Sequence, residues 1–164
     1  MKKLVYLSLG SNLGDREKHL REAISQLQGL GVIRQVSASY ETQPVEVDRE
    51  QPWFLNCALA METELMPLEF LGRMLAVEQS MGRVRTEPKG PRTIDIDILL
   101  FGDDVVDTPE LTVPHPAMHQ RRFVLEPLAE IAPTVVHPLL KRTVRELLDS
   151  LPPASGLVKK LRPN

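Results

Sequence analysis

The sequence predicts an α+β fold, with an antiparallel or mixed sheet flanked by helices in three α-β-α layers. Three observations lead there. Alternating apolar positions mark strands at about 4–9, 33–42, 54–64 and 94–101. Helical spacing fills the stretches at about 20–30 and 67–82 between them. Hairpin-like links between strands then argue against a doubly wound parallel sheet. The composition, 42% hydrophobic and 26% charged over 164 residues, is close to the globular average and excludes wholesale disorder.

Each element has a local reason. Leu4 to Leu9 alternate as a strand. Gly10-Ser11-Asn12-Leu13-Gly14-Asp15 is turn chemistry, with Asn12 or Asp15 able to cap a helix. Leu20, Ala23, Ile24, Leu27 and Leu30 form the stripe of that helix, which ends near Gly29–Gly31. The strand at 33–42 places Val36, Ala38, Tyr40 and Thr42 on one face. A long connection with Pro44 and Pro52 leads to a strand with Leu55, Cys57, Leu59 and Met61 opposite Phe54, Asn56, Ala58 and Ala60. Pro67 opens a second helix, with Leu68, Leu71 and Leu75 as its stripe and Gly82 as its stop. Ile94 to Phe101 is the strongest strand, and Gly102-Asp103 turns it towards Val105-Val106. A third helix is expected over about 119–131, ended or interrupted near Pro127. A fourth starts at Thr143, where Thr143-x-x-Glu146 is a capping box, and Leu157–Leu161 is a candidate edge strand. We assign a ferredoxin-like single domain over residues 1–164, with mobile loops at about 43–53 and 83–92.

Composition also limits function. A net charge of −2 argues against a nucleic-acid binder that relies on bulk positive charge. No apolar run reaches the roughly 20 residues of a membrane span. One cysteine, Cys57, excludes an internal disulfide framework and points to a reduced, cytoplasmic setting. Arg83, Arg85, Lys89 and Arg92 nevertheless cluster, with Arg121-Arg122 further on. Such a patch in a slightly acidic chain suits a small anionic ligand.

The sharpest chemical feature is Asp95-Ile96-Asp97. In a strand, Ile94, Ile96 and Ile98 share one face and the two aspartates the other. The carboxylates then stand about 6.6 Å apart along the strand. Two like charges so close call for a cation, and hard oxygen ligands suit Mg²⁺. Arginines beside an acidic metal pair are the combination phosphoryl transfer needs. A solvated sheet face beside a solvated charged loop is the alternative. Pro114-His115-Pro116 presents one imidazole on a rigid turn, as a phosphate donor, a proton-transfer group or a plain turn histidine. Gly10–Gly14 lacks the lysine and spacing of a P-loop.

These residues resemble the 6-hydroxymethyl-7,8-dihydropterin pyrophosphokinases of folate biosynthesis. The motifs are Leu9-Gly10-Ser11-Asn12, Gly82-Arg83-Val84-Arg85, the stretch Gly90 to Gly102, and Leu111-Thr112-Val113-Pro114-His115-Pro116. The similarity runs from Val5 to about Leu151. It implies transfer of the terminal diphosphate of ATP to the pterin hydroxymethyl group, releasing AMP. By the same resemblance Asp95 and Asp97 hold two Mg²⁺ ions arriving with ATP, and Arg83 and Arg92 contact phosphate. Glu78, Arg85, Ile98, Thr112, His115 and Arg121 match ATP-site positions. Asn56 matches the reader of the pterin edge, Phe54 and Phe123 the aromatic sandwich, Thr42, Pro44 and Val45 the pocket wall, and Asp95 also faces the pterin.

Some positions depart from the better-known pattern: Gln43 for proline, Lys89 for tryptophan, Glu110 for arginine and Pro116 for tyrosine. The expected partners are ATP and the pterin, with no nucleic acid and no membrane, and the chain is expected to act as a monomer. It is too short to carry the other folate-pathway enzymes to which this one is fused in some organisms. Two rival readings are a nucleotide-binding interaction module and a metal-dependent phosphohydrolase. Neither needs a stacking pocket beside the phosphates.

Overall fold

Period-two alternation in the chain becomes a six-stranded sheet. In the computed structural model, residues 2–42, 53–82 and 93–152 are described in full and 158–160 by their backbone. The strands are β1 (Lys3–Ser11), β2 (Val32–Val36), β3 (Tyr40–Thr42), β4 (Phe54–Thr63), β5 (Asp95–Phe101) and β8 (Val158–Lys160). Their order is β5-β1-β4-β3-β8, with β2 also paired to β4, and every described pairing is antiparallel. A separate ribbon joins β6 (Val106–Asp107) to β7 (Thr112–Val113). The helices are α1 (Arg16–Leu27), α2 (Pro67–Ser80), α3 (Arg122–Ile131) and α4 (Val144–Asp149).

The two sheet faces carry separate cores, which makes the three layers. One face offers Leu7, Leu9, Leu55, Cys57, Leu59, Met61, Ile96 and Ile98 to α1 and α2. The other offers Tyr6, Ala58, Ala60, Leu99 and Leu100 to α3 and α4. A register shift between Tyr6 and Leu7 against β5 pairs Tyr6 with Leu100 and Leu7 with Ile98. This bulge re-phases β5: its isoleucines face α1 and α2, whereas Leu99 and Leu100 face the other core.

Local signals worked as expected at several ends. The Asp15 side chain caps α1 by accepting from the Lys18 amide at 3.2 Å. Thr143 and Glu146 form both bonds of the capping box. Gly82, at φ 84°, takes the left-handed turn that follows α2. β8 supplies the expected edge strand, against β3.

Four expectations are corrected. β1 continues through Gly10 and Ser11, which pair with Asn56 and Leu55, so the turn starts later. The strand at 33–42 breaks over 37–39. There the Ser37 amide donates to the Ala58 carbonyl and the Ala58 amide to Ser37 Oγ, both at 2.8 Å, so a hydroxyl stands in for a backbone acceptor. Val36 consequently faces solvent while Tyr40 and Thr42 are buried. The buried stripe of α2 is Phe70, Met74, Val77 and Glu78; Leu68 is exposed, and Leu71 and Leu75 are only partly buried. α3 runs through Pro127 without interruption. The loop expectations at 43–52 and 83–92 lie outside the described residues.

Gly31 shows how tightly α1 is returned to the sheet. A Cβ there would sit 2.0 Å from the Glu62 carbonyl oxygen, whereas one at Gly29 would meet nothing within 4 Å. Gly31→Ala should therefore lower the unfolding free energy by about 2 kcal/mol. Gly29→Ala should stay within about 0.5 kcal/mol of the parent. Urea unfolding of both variants checks the contrast.

Candidate active site

The register of the central strands builds the site. Asp95 pairs with Gly10, Gly10 with Asn56, and Asn56 with Tyr40, so four strands contribute to one row across the sheet. The next row holds Asp97, Ser8 and Ala58. Paired residues share a face, so Asp95, Asp97, Asn56, Phe54 and Thr42 all lie on the face that α3 and α4 cover further along. The apolar residues of that face, Tyr6, Ala60 and Leu100, sit beneath the helices. The polar ones occupy the opposite end.

Gly10 keeps that end open. A Cβ there would come within 2.6 Å of Asn56 Nδ2 and 3.3 Å of the Phe54 ring. The missing side chain lets the amide of β4 lie across β1 towards the aspartates. Asn56, buried, accepts a hydrogen bond from the Thr42 hydroxyl at Oδ1. Arg16, at the start of α1, donates to Glu41 Oε1 at 3.2 Å and to the Trp53 carbonyl at 2.9 Å. It thereby ties together the two stems that flank residues 43–52.

A second recess opens at the outer edge of β5. It is a cleft of about 390 Å³ between β5, α2 and the segment 110–116. Leu71, Met74, Leu75, Ile96 and Ile98 give it an apolar wall, and Asp97, Glu110, Thr112 and His115 supply polar groups. An apolar recess with a few convergent polar groups is the usual form of a small-molecule site. Asp97 belongs both to the cleft and to the polar sheet face.

Glu78 supports this edge from α2. Its side chain is buried, and its Oε2 accepts from the Ile96 amide at 2.7 Å. Among the described strands β5 is the outermost on its side, so none of them flanks this amide there. A buried amide without an acceptor is costly, and the carboxylate supplies one between the two aspartates.

His115 is held by its own turn. Its amide donates to the Leu99 carbonyl at 3.0 Å, and its Nδ1 accepts from the Ala117 amide at 3.1 Å. The neutral ring therefore carries its proton on Nε2, which lies 4.0 Å from Asp97 Oδ1. Burial, aided by the charge of Arg121 and opposed by Asp95, pushes its pKa down to about 4. At neutral pH it is a hydrogen-bond donor, not a cation. Arg121 lies over the Phe123 ring, 5.5 Å from its centroid, at the start of α3.

The expected residues thus fall into two groups. Thr42, Phe54, Asn56 and Asp95 lie on the polar sheet face. Phe123, at the start of α3, packs against the second core, and Arg121 lies over its ring and within electrostatic reach of His115. Asp97, Ile98, Thr112 and His115 meet at the cleft. Glu78 touches the backbone of β5. Arg83, Arg85, Arg92, Pro44 and Val45 lie outside the described residues. Leu71 and Leu75, expected in the stripe of α2, pack against the core and also line the cleft; Gly10 was read as a turn and instead is part of the floor. The signal for Leu71 and Leu75 was Phe70 and Met74, an equally apolar stripe one residue away.

The aspartates suit Mg²⁺. Asp95 and Asp97 are half-buried, side by side on one face, and all their donors are oxygen. Among the described residues no cluster of three or more metal-binding side chains exists.

The low pKa of His115 has a consequence for the ligand-free protein. The folded value lies below the ordinary 6.5, so the unfolded chain binds the proton more readily. Stability should rise with pH between about 4 and 6.5 and level off above. NMR titration should find His115 half-protonated near pH 4. His115→Gln should flatten that part of the stability profile.

Comparison with known proteins agrees with the geometry. Residues 6–133 match the family model described as 7,8-dihydro-6-hydroxymethylpterin-pyrophosphokinase. A 2-amino-4-hydroxy-6-hydroxymethyldihydropteridine pyrophosphokinase of Bacillus subtilis is 45% identical, covering 82% of this chain and 81% of the relative. The enzyme of that name from Methylorubrum extorquens is 46% identical, covering 91% and 94%. The folic acid synthesis protein of Schizosaccharomyces pombe is 43% identical over 92% of this chain, which spans only 21% of that relative's length. A Plasmodium falciparum HPPK-DHPS crystal structure shares the fold, at TM-score 0.74 and 17% identity, over 91% of this chain and 44% of its own. The ferredoxin-like sheet, the aspartate pair and these matches agree that the chain belongs to the 7,8-dihydro-6-hydroxymethylpterin-pyrophosphokinase family.

Proposed function

We propose that this chain transfers the terminal diphosphate of ATP to the hydroxymethyl oxygen of 6-hydroxymethyl-7,8-dihydropterin, giving AMP and the pterin diphosphate. The observation that carries the proposal is the place of the aspartates. They stand where the polar sheet face, with Phe54, Asn56 and Thr42, meets the cleft of about 390 Å³, with Ile98, Thr112 and His115. A donor and an acceptor bound in these two recesses would meet at Asp95 and Asp97.

In the reaction the hydroxymethyl oxygen forms a bond to the β-phosphorus of ATP. The bond from that phosphorus to the oxygen bridging to the α-phosphate breaks, AMP leaves, and the hydroxyl proton is lost. Asp95 and Asp97 would hold two Mg²⁺ ions, whose charge offsets that of the phosphate oxygens. Arg83 and Arg92 are assigned to the phosphates, with Arg85 and Arg121 as further cations. His115, neutral with its proton on Nε2, acts as a fixed donor that adds no charge. Phe54 and Phe123 stack on the pterin, and Asn56 reads its polar edge. Neighbouring Pro44 and Val45 are assigned to the pocket wall. Glu78 serves the ATP site through the backbone of β5. We take the chain to act as a cytoplasmic monomer on these two small molecules, independent of nucleic acid and membranes. The absence of a membrane-length apolar helix among the described residues is consistent with this.

The test is to incubate the protein with Mg-ATP, with and without the pterin, and separate the nucleotides. Pterin-dependent AMP is expected. ADP as product, or ATP loss independent of pterin, would overturn the assignment, the latter in favour of a phosphohydrolase. Asp95→Ala and Asp97→Ala should each lower kcat by about a thousandfold, the loss typical of removing transition-state charge stabilisation.

A further inference from the structure

We propose that Arg16 is a positioning residue for the acceptor side of the reaction: from behind the sheet its guanidinium clasps the end of the β3–β4 ladder and so fixes where Phe54 stands. The inference rests on the pterin reading above and adds to it a residue that acts only through its neighbours.

One nitrogen makes the clasp. Arg16 Nη1 donates to Glu41 Oε1 at 3.2 Å and to the Trp53 carbonyl at 2.9 Å. Glu41 and Trp53 immediately precede Thr42 and Phe54, which are Cα partners at the last described rung of the ladder. β3 is only three residues long. The end of so short a ladder opens most readily, and a donor shared between its two strands opposes that opening. Both bonds come from a cation, which makes them stronger than neutral ones. The Arg16 and Glu41 side chains are 29% and 32% exposed, so solvent screens the ion pair, and the shorter bond to the backbone carries more of the clasp.

Two features say that Arg16 serves the sheet and not its own helix. It is the first residue of α1, where a cation opposes the helix dipole. α1 itself is seated by Leu20, Ala23 and Leu27, all buried in the core, so the arginine extends from a fixed base. The clasp also approaches from the useful side. Glu41 is paired with Leu55, which faces α1 and α2, whereas Thr42 and Phe54 face the polar side. Arg16 thus holds the backbone behind Phe54 and leaves the polar face open. Phe54 is only half-buried, so its ring depends on that backbone for its place. A ring on a loosened backbone must be ordered again when a flat ligand stacks on it, which lowers affinity. Asp95 and Asp97 stand on β5, which β1 separates from β4, so the reacting end should not move.

Trp53 is the one tryptophan of the chain, so its fluorescence reports on the clasp directly. The experiment compares the parent with Arg16→Met, Arg16→Lys and Glu41→Gln. In the ligand-free proteins, acrylamide should quench Trp53 more strongly in Arg16→Met than in the parent. Steady-state kinetics with Mg-ATP should then show the pterin KM of Arg16→Met raised about five- to tenfold, the range for ordering a side chain anew. Its kcat and its KM for ATP should stay within about twofold of the parent. Arg16→Lys, one bond shorter but still a cation, should recover part of the loss. Glu41→Gln should act weakly, and adding it to Arg16→Met should change nothing further. Unchanged Trp53 quenching, an unchanged pterin KM, or a kcat that falls as far as KM rises would each overturn the role of Arg16 while leaving the pterin reading in place. A parent protein without pterin-dependent turnover would overturn the pterin reading and this role with it. Thermal melting separates these results from misfolding; if Arg16→Met does not fold, Arg16→Gln read against Arg16→Lys makes the same comparison.

Discussion

Everything at this site depends on the antiparallel register of β1 between β4 and β5. The strand supplies no catalytic side chain, yet it sets Asp95 opposite Gly10 and Gly10 opposite Asn56. Side chains alternate faces, so a slip of one residue would send both aspartates into the apolar core beneath α1 and α2. The register is held by what that slip would cost. Ile96 and Ile98 are each at most 3% exposed and would have to leave the core beneath α1 and α2. The bulge beside Leu99 allows the same strand to carry isoleucines for one core, aspartates for the site, and leucines for the second core.

Charge is arranged with equal economy. In the proposed reaction the aspartates would need cations, and the phosphates both cations and neutral donors. In that reading a protonated His115 would compete with a metal ion for Asp97. Burial and Arg121 keep it neutral, and the bond from Ala117 to Nδ1 fixes which nitrogen donates. Glu78 adds a carboxylate close to the pair, but one that bonds the Ile96 amide and stiffens the strand that carries them. Rigidity there would matter to the proposed Mg²⁺ site, because that ion demands near-ideal geometry from its ligands.

How much of this could be read from the residues follows from physical range. The Ile-Asp alternation of β5 is a period-two signal within seven residues, and its two faces are as expected. The capping box at Thr143 and the Asp15 cap are likewise local. The Gly10 floor was not legible, because Gly-Ser-Asn is turn chemistry until a neighbouring strand is seen to need the space. The α2 stripe was displaced for a related reason. Phe70 and Leu71, and Met74 and Leu75, are adjacent apolar pairs, and helical spacing alone does not decide which member is fully buried. The break at Ser37 was hidden too, since it depends on a hydroxyl bonding an amide of another strand. Of the site, the aspartates and His115 could be argued from chemistry, whereas the stacking and amide residues were assigned through the family resemblance.

The division of labour along one sheet face explains why the residues that destabilise are kept. Beneath α3 and α4 the face is apolar and closely covered. At the other end lie Ser8, Asn56 and Thr42, all buried, beside the two aspartates, and Ser11, Asn12 and Glu78 are buried close to the same strand ends. Buried polar groups stabilise little and cost much when unpaired. A sequence selected for stability alone would fill this end with valine and leucine. The polar groups instead pair with one another or with the backbone: Thr42 with Asn56, Glu78 with β5, Ser11 beside His19 at 3.3 Å. The apolar end supplies the stability that lets the polar end be specific, and the antiparallel register joins the two.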